Sequence, residues 1–188
     1  MNTAFVVATH QSHQLVEIFN RCFLDRENTR LLGGAPEPLY LPASAGSPAQ
    51  IHFTQDFFSS ALHECAHWCV AGEARRQLED YGYWYAPDGR DASQQAEFER
   101  VEVRPQALEW LFSVAANWPF RVSADNLAME LGPSDAFKDA ICAQAQSLTP
   151  LTVNDRTSQF AQALLAYYRP AKGLDWLFSP ERFARSSL

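Results

Sequence analysis

Between Ser60 and Gly72 the sequence reads SALHECAHWCVAG, and two of the chain's five histidines, His63 and His67, lie four residues apart in it. Residues four apart on an α-helix lie nearly one above the other, so both imidazoles can bind the same metal ion. Glu64 follows the first histidine and would lie beside that ion. This H-E-x-x-H pattern therefore predicts a metal site on a helix.

The residues around the two histidines favour a buried helix with a single polar stripe. Apolar residues recur there at helical spacing, namely Phe57, Phe58, Ala61, Leu62, Ala66 and Val70. Thr54 or Asp56 is the expected N-cap, and Gly72 is the expected stop. Cys65 and Cys69 fall on the opposite side of the helix, so we expect them to pack behind the site instead of binding the metal.

Length, charge and apolar content limit the class of protein. A chain of 188 residues is long enough for one well-buried core and short for two, so a single domain over residues 1–188 is expected. The net charge of -7, with no basic run longer than Arg75-Arg76, argues against a nucleic-acid partner. The N-terminus does not resemble a signal peptide and no long apolar span follows, so a soluble, cytoplasmic protein without membrane association is predicted.

The pattern along the chain predicts the α+β class, a mainly helical domain with a small sheet beside the H-E-x-x-H helix. Residues 13–22 predict an opening amphipathic helix. Short strands are expected within 38–42 and 50–54, in a region rich in Gly, Pro and Ser. Helical spacing returns over residues 73–82, 105–118, 134–148 and 156–169, with Pro105 expected at the first helical position.

Two histidines alone hold a catalytic metal poorly, so a third protein ligand is expected. No histidine follows His67, which excludes a downstream histidine ligand and with it the metzincin pattern. The upstream candidates are His10, His13 and His52, and the downstream candidates are Glu97, Glu99, Glu102 and Glu109.

We select Glu102 as the third ligand and keep Glu99, Glu109 and His52 as alternatives. The sequence E-x-x-x-Q-A that starts at Glu102 resembles the second-helix signature of zincin-type metalloproteins. Because a proline disfavours helix at the residue before it, Pro105 indicates that Glu102 lies just before the helix and not inside it.

Two histidines and a carboxylate fit two kinds of enzyme, the non-haem iron(II) oxygenases and the zinc peptidases of gluzincin type. In a peptidase Glu64 would be the general base that activates zinc-bound water. In an oxygenase Glu64 would instead orient a ligand such as His63 or move a proton. A third interpretation is a non-catalytic interaction module whose metal is structural or absent.

Several stretches of the chain resemble the bacterial elongation factor P hydroxylase family. The most specific block, residues 60–113, contains HECAHWCVAGEARRQLEDYGYWYAPDGR and most of QAEFERVEVRPQALEWLFSVAA. The stretches LVEIFNRCF, NTRLLGG, PLYLPA and VSADNL extend the similarity to roughly residues 14–127.

The resemblance implies a hydroxylase that acts on elongation factor P after a lysine of that protein has received a β-lysyl group, a modification that supports translation. It also implies non-haem iron(II) on a 2-His-1-carboxylate motif, which maps onto His63, His67 and Glu102, with molecular oxygen as co-substrate. Hydroxylation of an unactivated C–H bond requires a redox metal, and zinc has no redox chemistry. The H-x-D pattern of 2-oxoglutarate oxygenases does not occur in the chain, so the reductant stays open.

An aromatic run joins the predicted metal helix to the carboxylate segment and is expected near the mouth of the site. Its members are Tyr81, Tyr83, Trp84 and Tyr85. Their faces could hold a long cationic lysyl-lysine arm, or they could pack in the core. Asp80 and Asp88 could meet the ammonium groups of such an arm.

Overall fold

A computed structural model of the chain describes residues 10–80, 90–124 and 132–188. Its helices and strands follow the order α1 (Ser12–Glu27), β1 (Thr29–Ala35), β2 (Leu39–Leu41), β3 (Ala49–Thr54), α2 (Phe58–Val70), α3 (Ala92–Ala116), α4 (Asp135–Gln146), α5 (Asp155–Tyr168) and α6 (Leu174–Leu177). Short 3₁₀ turns lie at Arg75–Gln77, Pro180–Arg182 and Arg185–Ser187. The prediction of a mainly helical protein with a small sheet is confirmed.

The sheet of the described residues has three strands in the order β1-β3-β2. β3 runs parallel to β1, with Leu31 opposite Ile51, and antiparallel to β2. Alternate residues of β3 are buried, which is the pattern of a strand with one covered face. Strands β2 and β3 were expected from the sequence but β1 was not, since two glycines weaken its strand signal. Gly33 is required there, because a Cβ at this position would lie 2.7 Å from the ring of Phe53.

The metal helix predicted from the histidines is α2, which contacts β3, α3 and α5. Leu62, Ala66, Cys65 and Cys69 are fully buried on its inner side, as expected for the two cysteines. Burial raises the pKa of Cys65 well above its usual 9.0 and that of Cys69 to about 12, so both remain neutral thiols. The cysteines therefore support α2 from behind the site.

The ends of α2 differ from the prediction. The N-cap is Phe57, and neither Thr54 nor Asp56 caps the helix with its side chain. The Thr54 carbonyl instead accepts a hydrogen bond from the Phe57 amide at 3.2 Å, which turns the chain from β3 into α2. The helix stops at Val70, before Gly72.

The C-terminal end of α2 is held by side chains at the start of α5. Asn154 Nδ2 donates to the Cys69 carbonyl at 2.6 Å, and Arg156 Nη2 donates to the Ala71 carbonyl at 2.7 Å. The Arg156 guanidinium also lies 4.8 Å from the centre of the Trp68 ring. Carbonyls at a helix end have no partner within the helix, so α5 supplies the missing donors.

Helix α3 begins at Ala92 and contains Pro105 in its interior, which corrects the expectation that Pro105 starts a helix and that Glu102 precedes it. Asp91 caps the helix by accepting from the Gln94 amide at 2.8 Å, and the Gln94 side chain accepts from the Asp91 amide. A proline removes only one N–H donor from the helix. The Asp91 cap on the N-terminal side and the buried turns on the C-terminal side of Pro105 keep the helix intact.

Residues 73–82 were predicted to be helical, and this prediction is wrong for the part that the structure describes. Only the turn Arg75–Gln77 is helical there. The backbones of Asp80 and Tyr40 instead pair in both directions, at 2.7 and 3.0 Å. Arg75 and Asp80 form an ion pair at 2.6 Å that closes the segment. An isolated antiparallel bridge to Tyr40 of β2 therefore takes the place of the expected helix at this point.

One hydrophobic cluster connects the described helices and the sheet, with the largest fully buried side chains at Phe19, Phe23, Phe53, Phe112, Phe160 and Phe183. A single domain with boundaries at 1 and 188 stays a prediction. Within the described ranges, the helices are too short or too polar to cross a bilayer.

Candidate metal centre

His63 and His67 on α2 lie close to Glu102 on α3, the residue that was selected from the sequence as the third ligand, and its role as a ligand stays a prediction. The Nε2 atoms of His63 and His67 lie 3.0 Å apart. Glu102 Oε1 lies 3.2 Å from His67 Nε2, and Glu102 Oε2 lies 3.8 Å from His63 Nε2. One ligand atom from each residue falls within 4.8 Å of the others, so the three could hold one metal ion.

The tautomer of His63 suits metal binding. Its Nδ1 lies 2.8 Å from Glu109 Oε2, and a carboxylate can only accept, so the proton belongs on Nδ1. The Nε2 lone pair is then free to bind a metal at the point where His67 and Glu102 meet. A carboxylate behind a histidine ligand is the usual means of fixing the ring and its tautomer.

Gln106 holds Glu102 in place from the next turn of α3. Its Nε2 donates to Glu102 Oε2 at 3.3 Å and to the Ser123 carbonyl at 2.8 Å, while its Oε1 accepts from the Ser123 amide at 3.1 Å. Glu102 and Gln106 are both buried. The carboxylate therefore has little freedom to turn away from the histidines.

The charges of the cluster shift the pKa values of its members. Burial lowers the pKa of His63, but the hydrogen bond and charge of Glu109 outweigh it and raise the pKa well above 6.5. Burial also lowers the pKa of His67, and the Glu102 carboxylate outweighs it and raises the value above 6.5. Burial would raise the pKa of Glu102, but His67 lowers it to about 2. Protons and a metal therefore compete for the two imidazoles.

Glu102 and Glu109 were named from the sequence as candidate ligands, but the buried polar stripe on α3 to which they belong was missed. Glu102, Gln106, Glu109 and Ser113 are all buried, at spacings of four, three and four residues. These spacings place polar groups on one face of a helix whose later turns are buried all round. Polar residues at helical spacing within an apolar run were the available signal for Gln106 and for the supporting position of Glu109.

The other candidate ligands have different partners. Glu99 accepts from the Ser134 hydroxyl at 2.8 Å, and Glu97 pairs with Arg100. His52 lies 3.1 Å from Gln50 Oε1 and lines a separate cavity beside Gly33 and Gly34. His10 contacts the Ala116 carbonyl at 2.7 Å, and His13 is exposed.

Glu64 lies beside the cluster but does not orient His63, because Glu109 has that role. In the part of the chain that the structure describes, no hydrogen bond or ion pair reaches the Glu64 carboxylate. Burial raises its pKa above the usual 4.5, against the lowering effect of His63 and His67. Glu64 instead faces a cavity.

That cavity, of about 370 Å³, lies along α2 and the N-terminal half of α3 and reaches His67 and Glu102. Its size falls within the range of small-molecule sites. The aromatic run Tyr81, Tyr83, Trp84 and Tyr85 lies outside the described residues, as does Asp88. Asp80 does line the cavity, where it pairs with Arg75.

A partly buried cluster of two histidines and one carboxylate beside a cavity is an arrangement found in metal-dependent enzymes. The family model described as elongation factor P hydroxylase matches residues 18–176. A curated relative from Haemophilus influenzae (strain ATCC 51907 / DSM 11121 / KW20 / Rd), the elongation factor P lysine hydroxylase, is 47% identical over 160 residues, which cover 85% of this chain and 90% of the relative. The chain belongs to the elongation factor P hydroxylase family, and the resemblance seen in the sequence is confirmed.

Proposed function

We propose that this enzyme hydroxylates a lysine side chain of elongation factor P. The family match and the relative's name support both the reaction and the substrate. The observation that carries the proposal is the convergence of His63, His67 and Glu102 at the head of a cavity large enough for a side chain. We further propose that the target lysine already carries a β-lysyl group.

We propose that His63, His67 and Glu102 bind non-haem iron(II), on an H-E-x-x-H helix of the zincin-like kind. The donor set fits, because two neutral imidazoles and one carboxylate suit iron(II), and His63 and Glu102 are already fixed by Glu109 and Gln106. Bound iron would supply the activation of O₂ that no side chain can supply.

The reaction balances with a two-electron donor. One oxygen atom of O₂ enters the C–H bond as a hydroxyl, and the other leaves as water with two protons and two electrons from a reductant. The residues of the chain prepare the site for this chemistry: Glu109 keeps the proton on His63 Nδ1, and Gln106 keeps Glu102 aimed at the histidines. Trp68, Phe98 and Pro105 line the cavity with apolar surface and limit the access of water.

The gluzincin peptidase alternative is not supported by the family match or by the relative. It shares the three proposed ligands and differs in the metal and in the task of Glu64. A non-catalytic module likewise gains no support from a family described as a hydroxylase.

Mass spectrometry of elongation factor P from cells with and without this gene tests the function. We expect a peptide about 16 Da heavier, the mass of one oxygen atom, only when the gene is present. Complementation with His67→Ala should not restore the heavier peptide. The same mass in cells that lack the gene would refute the proposed function.

Reconstitution tests the metal and the state of the substrate separately. Protein purified without oxygen should hydroxylate after loading with Fe(II) and stay inactive with Zn(II). Lysylated elongation factor P should be turned over much faster than the unmodified protein. Equal activity with Zn(II) would refute iron, and equal rates on both substrates would refute the requirement for β-lysylation.

A further inference from the structure

The cavity next to the metal cluster has apolar walls and a polar end. Glu64, His67 and Glu102 lie together at the polar end. Much of the remaining wall is apolar or aromatic, with Ile51, Trp68, Val70, Phe98, Val101 and Pro105 from β3, α2 and α3. Charged side chains complete the lining, namely Arg75, Arg76, Asp80, Arg90, Glu97 and Arg100. The apolar part of the wall suits a chain of methylene groups, because its burial removes apolar surface from water.

Most charged groups that line this cavity already have partners of opposite charge. Arg75 pairs with Asp80, Arg76 pairs with Glu27 at 3.1 Å, and Arg100 pairs with Glu97. Arg90 donates to the Ala124 carbonyl at 2.8 Å and stacks on Phe98. These cations are therefore engaged with other residues and are not aimed at Glu64.

Glu64 differs from the other carboxylates of the cavity. Within the described residues Glu102 contacts His67 and Gln106, whereas no hydrogen bond or ion pair reaches Glu64. A half-buried carboxylate without a partner is costly, and a cation that enters the cavity would offset that cost. The cavity therefore combines apolar wall surface with ion-paired side chains, and Glu64 is the carboxylate of its described lining that an incoming cation could pair with.

We propose that Glu64 binds an ammonium group of the substrate and that the methylene chain of the substrate lies along the apolar wall between α2 and α3. This inference rests on the proposed function for the identity of the substrate. Glu64 and His67 are three residues apart on α2, so their side chains are neighbours on one face. An ammonium held by Glu64 thus places the adjacent carbons of the arm beside the proposed metal ligands.

The test is a binding measurement without turnover. Calorimetry under nitrogen would measure the Kd of lysylated elongation factor P, and of the same protein with its amines acetylated, for the wild-type enzyme and for Glu64→Gln. We expect both acetylation and Glu64→Gln to weaken binding by about tenfold or more, the usual strength of a charged hydrogen bond. We expect no further loss when the two changes are combined, because they remove the same contact.

Two variants serve as controls. Glu64→Asp keeps the charge and should retain the discrimination between the amine and its acetylated form. Glu99→Gln removes a carboxylate of α3 that bonds to Ser134 and does not line the cavity, and its Kd should equal that of the wild type. If Glu64→Gln folds poorly, the comparison of lysylated with acetylated elongation factor P on the wild-type enzyme still tests the proposal. A Kd that acetylation leaves unchanged would overturn it.

Metal content and kinetics separate binding from the other duties of Glu64. We expect Glu64→Gln to retain the metal. Its activity should fall because KM rises, while kcat stays unchanged. A loss of metal, or a fall in kcat at unchanged KM, would overturn the proposal in favour of a role at the metal or in proton transfer. If wild-type enzyme binds the amine through Glu64 but does not hydroxylate, the proposed function fails while this inference stands.

Discussion

At the scale of single residues, each proposed metal ligand is held in position by only a few contacts in the described part of the chain. Among the described residues outside the cluster, Glu109 fixes His63 and Gln106 fixes Glu102. Gln106 is itself fixed at both amide atoms by Ser123. His67 has no such support besides its two neighbours in the cluster, His63 and Glu102, in the described part of the chain. Loss of any one ligand should therefore leave a pair that binds metal weakly.

We expect His63→Ala, His67→Ala and Glu102→Gln each to lose most of the bound metal and all hydroxylation. Two remaining ligands compete poorly with water for iron(II), while removal of a half-buried imidazole leaves the core intact. Metal analysis and circular dichroism of the purified variants check this. Full metal content in Glu102→Gln would indicate that another carboxylate is the third ligand.

We expect Glu109→Gln to keep the fold and to weaken metal binding by about 10- to 100-fold, the usual effect of losing the partner of a histidine ligand. The amide can still accept from His63 Nδ1, but it carries no charge to make the ring more basic. Competition with a chelator of known affinity measures the change. Glu99→Gln is the matched control, since its contact with Ser134 lies away from the cluster, and an equal loss there would refute the role of Glu109.

The three proposed ligands could be predicted from the sequence because each belongs to a pattern of residues that lie close together along the chain. His63 and His67 depend only on helical geometry, and Glu102 was selected by a local signature. Glu109 was kept only as an alternative ligand, since its contact with His63 depends on how α2 and α3 pack. Sequence spacing alone does not determine such a contact between helices.

At the scale of elements, α2 and α3 show where local rules were sufficient and where packing prevailed. Helical periodicity found α2, α4 and α5 close to their observed bounds. Pro105 was interpreted as the start of a helix. The capping box at Asp91 begins the helix instead, and tertiary packing keeps it continuous through the proline. The helix expected over 73–82 was replaced by pairing between Asp80 and Tyr40, a contact across 40 residues of sequence.

We expect Arg156→Met to lower the free energy of unfolding by about 2 kcal/mol, because it removes charged hydrogen bonds to the end of α2. Arg156 Nη2 bonds to the carbonyls of Cys69 and Ala71, and the variant leaves them without these donors. Urea titration of the two proteins measures the loss. Arg185→Met, which breaks exposed pairs with Asp135 and Asp139, is the matched control and should cost below about 1 kcal/mol. Equal losses would refute the capping role.

At the scale of the whole molecule, the metal-free protein should show a pH dependence set by the cluster. The pKa values of His63 and His67 are raised in the folded state, so their contribution to stability is complete below the usual 6.5 and is lost as pH rises through the folded values. The pKa of Glu102 is lowered to about 2, so its contribution is complete above the usual 4.5 and is lost as pH falls.

The cluster therefore stabilises the metal-free protein most between about pH 4.5 and 6.5. Urea midpoints between pH 4 and 9, compared with those of a His63→Gln, His67→Gln double variant, isolate this contribution. The difference between the two proteins should shrink above pH 6.5. A difference that grows with pH would contradict the raised histidine pKa values. Metal affinity should rise as the pH increases through the folded pKa values of the two histidines, since the metal requires neutral imidazoles.

The contact of α5 with the end of α2 has a consequence for biosynthesis. Asn154 and Arg156 follow the Cys69 carbonyl by 85 and 87 residues, so the ribosome releases the histidine helix long before the side chains that cap it. A nascent chain that has emerged only as far as α3 contains the three proposed ligands but lacks the donors for the end of α2. Stable metal loading should accordingly follow the synthesis of α5, because a contact this distant in sequence closes only after Asn154 and Arg156 have also emerged from the ribosome.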